Sequence, residues 1–532
     1  MPGPRTSSLA ALRDPTDVAA LRAALTATDH SQTLRPVHLD AILVGPDAVD
    51  AVPDAVAAQL DRAAAAGRAT DGPVVVLVDA TPIERAGADL KALVADRLAA
   101  RFGSEREVRT TVLRSHHDDD HAGLHVDDDA LDAATAAVTG AAAVVAVGGG
   151  TISDIGKIAA ARADGSPAAD GATAGGPTAG GGGVPLVVVQ TAASIDGYTD
   201  DVSVVLRDGV KRTVPSRWPD VVLADVTTIT TAPERLNSAG YGELLSTFTA
   251  PADWYLAHTV GLDPTFHRGP LDVLTALGHD LADWSPGLAR HDPASVEQLT
   301  RLLSVRGVVT GVVGTTAAMS GTEHVISHML DMRRAAQRLP IGLHGAQVGV
   351  AAVVASAAWE HLFAVLDALL DRGELTGPAL DALFPDAEQI AARRPGVLAV
   401  FADVDPDGRL GAECWRDYSA KLARWSAARP TVEAFLADWD RHRTTIEELR
   451  IDAHTLGAGL VAAAAPARFA ALDPFIDDAT ARWAVAHCHL MRNRFTVVDL
   501  LDLLGRWTEQ DRDTVLATAE DAVAAADRAV SR

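Results

Sequence analysis

Three segments in the second half of the chain carry metal-ligating side chains at useful spacing. In SGTEHVISHML, His324 and His328 stand four residues apart and so share one face of a helix. In LPIGLHGAQVGV, His344 follows a proline and adjoins Gly345, and in SAGYGELLSTFTAPADW, Glu243 sits at the start of a helical stretch. Glu243, His324 and His344 together supply one carboxylate and two imidazoles. That is the donor set of a catalytic divalent site that keeps coordination positions open. Most of the 18 histidines are expected to be ordinary surface or core residues, so the set needs support from elsewhere in the chain.

That support begins at VVAVGGGTISDIGK. Val144 to Val147 form a β-branched apolar run, Gly148, Gly149 and Gly150 follow at once, and Ile152, Ile155 and Ile158 then recur with helical period. Three glycines between a strand and a helix let backbone amides approach a phosphate, and the helix N-terminus adds partial positive charge. Thr151 or Ser153 is the expected helix cap. The spacing matches neither G-x-G-x-x-G nor the Walker pattern. Asp79, closing the strand of PVVVLVDATP, stands where dinucleotide folds hold a ribose, although a turn carboxylate has the same look.

These residues need an α/β frame. Strands are expected at 42–44, 74–79, 108–113, 144–147, 184–190 and 221–224, alternating with helices over 83–102 and 131–139, and a hairpin over 202–214 turns at Asp208-Gly209. From about Ala232 the strand signals stop and long Ala/Leu helical patterns take over. The expected organisation is an extension over 1–36, a dinucleotide-binding parallel-sheet domain over 37–231, and an all-α metal- and substrate-binding domain over 232–532. The active site would lie in the cleft between the two domains. Residues 163–183, rich in Gly and Ala, are expected to form a flexible insertion. The HHDDDH run at 116–121 is read as a solvated loop rather than a metal site.

Composition narrows the function classes. Hydrophobic residues make up 48% and charged residues 22%, as in a folded protein, and the net charge of −25 argues against nucleic acid or an anionic membrane as partner. The two cysteines cannot form a disulfide framework, no membrane span is expected, and a cytoplasmic location follows. Any anionic substrate needs a local cationic site. Only four lysines occur (Lys91, Lys157, Lys211 and Lys421), and Lys211 with Arg212 are cations near the motifs, although a surface-hairpin role is the commoner fate of such residues.

In order, VGGGTISDIGK, TAASIDGYTDD, DGVKRTVPSRWPDVVLADV, AGYGELLSTFTAPADW, SGTEHVISHMLDM, LHGAQVGV and AHCHLMRNRFTVVDLLDLL resemble the sn-glycerol-1-phosphate dehydrogenases. The bacterial AraM-like branch looks closest, within the dehydroquinate synthase-like and iron-containing alcohol dehydrogenase superfamily. The resemblance covers about Asp40 to Leu504. It implies a Rossmann-like domain followed by a helical domain, and NAD or NADP held by Gly148, Gly149, Gly150, Thr151 and Asp154, with Thr191, Ser194 and Asp200 lining the same cleft. Glu243, His324 and His344 would bind zinc or nickel, Asp196 would contact substrate, and His328 would face it. Asp79 would disfavour the 2′-phosphate of NADP. The implied reaction interconverts dihydroxyacetone phosphate and sn-glycerol 1-phosphate in a homo-oligomer.

Three positions depart from the family pattern. The carboxylate ligand is usually Asp and here is Glu243, as in the cyclising dehydroquinate synthases. The usual H-G-E-Q reads H-G-A-Q, so Ala346 removes a carboxylate expected to orient His344. A small hydroxyl residue near the nicotinamide is replaced by Asp200, whose charge is expected to disturb cofactor binding or proton transfer. These departures motivate two alternatives: a sugar-phosphate cyclase using NAD transiently, and a catalytically impaired binding protein.

Overall fold

A computed structural model of the chain describes residues 14–114, 124–163, 183–207, 210–278 and 280–530, with side chains left aside at 207, 210–212, 277 and 278. The HHDDDH run, the Asp208-Gly209 turn and residues 164–182 of the Gly-rich stretch lie outside the described residues. The chain divides into two compact units. One comprises Met1–Gly240, Arg268–Asp280 and Gly287–Gly314; the other comprises Tyr241–His267, Leu281–Pro286 and Thr315–Arg532.

The first unit is built on a six-stranded parallel sheet. Its order across the sheet is Ala41–Gly45, Val221–Asp225, Leu186–Gln190, Ala143–Gly148, Val74–Asp79 and Val108–Leu113. The four inner strands are almost wholly buried, which explains their unbroken Val/Leu/Ala text: a sheet covered on both faces has no reason to alternate. Val76, Val145, Val187 and Leu223 meet Val56, Val94 and Leu98 of the covering helices in one core. The Rossmann-like sheet followed by an all-helical region is therefore as expected.

Some local expectations shift. The helix expected from Ile83 begins at Leu90, because Ala86 and Gly87 take positive φ values of 50° and 82°. They turn Glu84–Arg85 back against Ala88–Asp89, and the Asp89 carboxylate then accepts from the amides of Lys91 and Ala92 to start the helix. Within the expected N-terminal extension, Val18–Thr28 is a helix that buries Leu21, Ala24 and Leu25, and Asp14 pairs with Arg301 at 2.6 Å.

Helices make up the second unit. Its central element, His344–Asp371, packs against Thr322–Ala336, Ala453–Ala462 and Glu509–Val530. Among the described residues it is the one helix long and apolar enough to cross a membrane, and 78% of its most apolar stretch is buried within the protein. Its length and apolarity are those of a core helix. Cys414 and Cys488 are buried free thiols.

Candidate metal centre and dinucleotide turn

Glycine makes the metal-ligating geometry possible. Glu243 sits in the helix Glu234–Leu245, one residue after Gly242. A Cβ on Gly242 would stand 2.2 Å from the Gly345 carbonyl oxygen, and one on Gly349 would stand 2.7 Å from the Gly242 Cα. No side chain fits between these backbones, so Glu243 is carried directly up to His344, the first residue of its helix. His324 projects from the first turn of Thr322–Ala336.

The three donors converge. His324 Nε2 lies 3.3 Å from Glu243 Oε1 and His344 Nε2 lies 3.9 Å from Glu243 Oε2. One donor atom from each of the three residues falls within 4.8 Å of the others, the only such group of three among the described residues. Donors about 2.1 Å from a tetrahedral ion stand roughly 3.4 Å apart, so the observed separations fit a divalent ion. Their chemistry fits as well. His324 Nδ1 is 2.9 Å from the buried Glu323 carboxylate, which can only accept, so the proton sits on Nδ1 and the Nε2 lone pair is directed to the centre.

His344 reaches the same tautomer through neutral groups. Its Nδ1 lies 3.0 Å from Ser327 Oγ. That hydroxyl donates to Gln347 Oε1 at 2.7 Å, so towards the imidazole it accepts. The Gln347 amide in turn donates to Asp331 at 3.1 Å. The expected loss of an orienting carboxylate at Ala346 is thus corrected: Ser327, Gln347 and Asp331 orient His344 instead.

Burial pulls the His324 pKa down, but Glu243 and Glu323 outweigh it and hold the imidazole above its ordinary value. The excess negative charge that retains a proton there is what a dication would satisfy. His328 stacks on His344 with ring centroids 5.3 Å apart and planes 18° apart. Burial, reinforced by the charges of Arg492 and Arg494, pushes His328 well below the usual range, leaving it neutral near pH 7. It is not among the three converging donors.

In the first unit, Gly148 ends its strand opposite Gln190, and Gly150 begins the next helix. A Cβ on Gly149 would meet nothing within 4 Å, whereas one on Gly150 would stand 2.4 Å from Ile195. The turn therefore has open space at its centre and a tight wall on one side. Thr151 and Ser153 lie inside the helix's first turn rather than capping it, and the Ser153 amide donates to the Gly149 carbonyl at 3.2 Å. Thr191 and Ser194 follow the neighbouring strand Leu186–Gln190. Two carboxylates expected at the cofactor share one buried lysine. Asp154 and Asp200 are buried and lie 3.3 and 2.8 Å from the Lys157 ammonium, which also donates to the Gly197 and Val202 carbonyls. Burial raises the Asp200 pKa to about 7 in spite of Lys157. The expected charge clash at position 200 is thus offset within the protein, and the triad's role is to hold the 197–202 loop.

Asp196, at the start of that loop, lies 3.3 Å from the buried Arg306 guanidinium and keeps part of its carboxyl exposed. The helix Pro293–Val313 comes this close because residue 307 is glycine: a Cβ there would lie 2.4 Å from the Asp196 carbonyl. Asp79 is likewise occupied, by Lys91 at 2.5 Å and the Thr81 hydroxyl at 2.9 Å. Lys91 offsets part of the Asp79 charge on which the expected preference against a 2′-phosphate rests. Sequence reading missed Lys157, Arg306, Glu323, Ser327, Asp331 and Gln347; of these only Glu323 had a local signal, its place beside His324.

A family described as iron-containing alcohol dehydrogenase matches residues 178–233. A Bacillus velezensis protein named glycerol-1-phosphate dehydrogenase, NAD(P)+, is 30% identical over 219 residues, 41% of this chain and 50% of the relative. One of the same name from Haloquadratum walsbyi is 28% identical over 305 residues, 56% of this chain and 75% of the relative. The chain spans about half the length of the bacterial relatives it matches. Among solved structures, maleylacetate reductase from Rhizobium sp. strain MTP-10005 aligns with 92% of this chain and 97% of its own at 15% identity, with a TM-score of 0.46. Over these spans the chain is similar to proteins named glycerol-1-phosphate dehydrogenase and, at residues 178–233, to the iron-containing alcohol dehydrogenase family.

Proposed function

We propose that this protein is a metal-dependent, NAD(P)-linked oxidoreductase interconverting dihydroxyacetone phosphate and sn-glycerol 1-phosphate. The observation that carries the reading is the Glu243, His324 and His344 triad, with both imidazole Nδ1 atoms engaged and both Nε2 atoms directed to one point. A divalent metal such as zinc or nickel held there supplies Lewis-acid polarisation of a carbonyl, and a nicotinamide dinucleotide supplies the hydride.

The chain's own residues do the rest. The glycines at 148–150 and the helix start beyond them receive the dinucleotide phosphates, with Thr191 and Ser194 alongside. Asp196, paired with Arg306 at 3.3 Å, accepts a hydrogen bond from a substrate hydroxyl. His328, neutral at physiological pH and stacked on a ligand imidazole, can hold or pass on the alcohol proton. With the Asp79 charge partly offset by Lys91, the protein accepts both NADH and NADPH.

The test follows NADH and NADPH absorbance with dihydroxyacetone phosphate on protein reconstituted separately with zinc and with nickel, beside Glu243→Ala. Metal-dependent oxidation of reduced cofactor, lost in the variant, is the expected result. Absence of net cofactor consumption by the metal-loaded protein would overturn the reading, since a cyclase returns its hydride and a binding protein transfers none.

A further inference from the structure

A phosphorylated substrate needs cations, and the lysines whose side chains are described are already committed. Among the described residues Lys91 pairs with Asp79 at 2.5 Å, Lys157 with Asp200 at 2.8 Å and Lys421 with Asp499 at 2.6 Å. Among the described residues the remaining cations are arginines. In the second unit a cavity of about 280 Å³ is lined by Arg424, Arg492 and Arg494, with Asn493, Asp263 and Thr315. Three guanidinium groups at one cavity, in a protein of net charge −25, are a marked local reversal of sign.

The three differ in what they already do. Arg494 donates to the Ser320 carbonyl and, at 2.9 Å, to Thr316 Oγ1, while Arg424 donates to the Leu262 carbonyl at 3.1 Å and the Asn493 carbonyl at 2.9 Å. Asp263 is satisfied by Thr265, whose amide reaches its carboxylate at 2.7 Å. Arg492 makes no hydrogen bond or ion pair with any described residue. Yet it is half-buried, with Asp417 and Glu413 only as more distant counter-charges.

Its backbone is also unusual: φ of 59° places a long-chained residue in the left-handed region. The segment is fixed from behind by the buried Lys421 ammonium, which donates to the His489 carbonyl at 2.6 Å and the Arg494 carbonyl at 3.0 Å. A half-buried guanidinium lining the cavity, on a clamped loop, keeps its donors available to a ligand. Guanidinium groups match phosphate oxygens bidentately. The site is also tied to the helix that carries His324 and His328: Arg494 donates to the Ser320 carbonyl, two residues before that helix begins at Thr322.

We propose that Arg492, supported by Arg494 and Arg424, binds a phosphate dianion, and that this dianion is the phosphate group of the substrate. The second half of the statement rests on the dehydrogenase reading above; the first does not. Inorganic phosphate is titrated into the full-length protein by calorimetry, with chloride as control, for the wild type, Arg492→Ala and Arg492→Lys. Arg492 supports no described contact, so its removal leaves the fold intact, which thermal unfolding checks directly. Phosphate affinity is expected to fall at least tenfold in Arg492→Ala and to recover only in part in Arg492→Lys, because an ammonium is a point charge without the planar fork.

The source of the dianion is read by competition and by kinetics. Saturating dihydroxyacetone phosphate should abolish phosphate binding. Arg492→Ala should raise KM for that substrate at least tenfold with kcat changed far less, while turnover of unphosphorylated dihydroxyacetone is unaltered. Equal phosphate binding by wild type and Arg492→Ala would overturn the site. Arg492-dependent binding that dihydroxyacetone phosphate leaves untouched would overturn the assignment to substrate. Arg492-dependent binding without any reduction of the ketone would uphold the site while the dehydrogenase reading fell.

Discussion

Ser327→Ala isolates how this protein orients a metal ligand without the usual carboxylate. The Ser327 hydroxyl bridges His344 Nδ1 at 3.0 Å and Gln347 Oε1 at 2.7 Å. Truncation leaves the His344 Nδ1 proton without its acceptor and the buried Gln347 carbonyl without its donor. Each orphaned group costs about 1–3 kcal/mol when water cannot replace the partner. Gln347 is buried; His344 keeps 28% of its side chain exposed and recovers part of its loss from solvent. The cost to metal binding is then about 1.4–2.7 kcal/mol, a 10- to 100-fold weaker affinity, as for other groups that orient ligand imidazoles. Chelator competition on apo-protein reloaded with zinc measures this directly, with circular dichroism confirming the fold. Ser327→Thr, which keeps the hydroxyl, should retain more of the affinity than Ser327→Ala. Zinc affinity of Ser327→Ala within twofold of the wild type would refute the relay, because the Ser327 hydroxyl is the acceptor assigned to the His344 Nδ1 proton.

Other perturbations follow from the same contacts. Lys91→Ala bares the Asp79 carboxylate; KM for NADPH should rise several-fold more than KM for NADH, and equal changes would place Asp79 away from the ribose. Gly242→Ala drives a methyl group to 2.2 Å from the Gly345 carbonyl, so a loss of about 1–3 kcal/mol in stability and weakened metal binding are expected, read by thermal unfolding and metal analysis. Asp200 is raised by burial to about 7 from an ordinary value near 3.8, so the stability it contributes is fully present below about pH 4 and is lost as pH rises through 7. Between those values the slope is about 1.4 kcal/mol per pH unit, and Asp200→Asn should show a shallower fall in unfolding free energy from pH 5 to 7 than the wild type. Identical slopes would mean that Lys157 keeps Asp200 ionised throughout.

Much of the fold could be read from local text because buried parallel strands leave a plain mark. Val74 to Val78 and Val144 to Val147 are unbroken apolar runs, and each ends at a polar residue or glycine where the sheet stops. The helix expected from Ile83 was misplaced because hydrophobic period does not register the positive φ at Ala86 and Gly87. The three converging donors were legible as residue types, since two imidazoles and a carboxylate announce one kind of chemistry. Their partners were not. Ser327 and Gln347 are 20 positions apart and Lys157 and Asp200 are 43 apart, so only the folded backbone brings them together. The same separation hid the arginine cavity: Arg492 belongs to a quoted motif, but Arg424 stands 68 positions earlier, on the helix Arg409–Ala427, and only the fold brings the two together.

The three departures from the family pattern share a physical logic. Each alters a charge or its reach, and a neighbour distant in sequence answers it. Asp200 introduces a buried negative charge, and Lys157, fully buried beside it, offsets that charge while tying down two carbonyls of the same loop. Ala346 removes a carboxylate near His344, and a neutral relay ending at Asp331 supplies the acceptor that sets the imidazole tautomer. Glu243 lengthens the ligand by one methylene, and its two oxygens divide between His324 and His344 at 3.3 and 3.9 Å. A protein losing function would show such changes unanswered, with orphaned donors around the triad. Here Glu323 and Ser327 still hold both histidines in the ligating tautomer, which argues for a centre maintained for metal rather than one decaying from it.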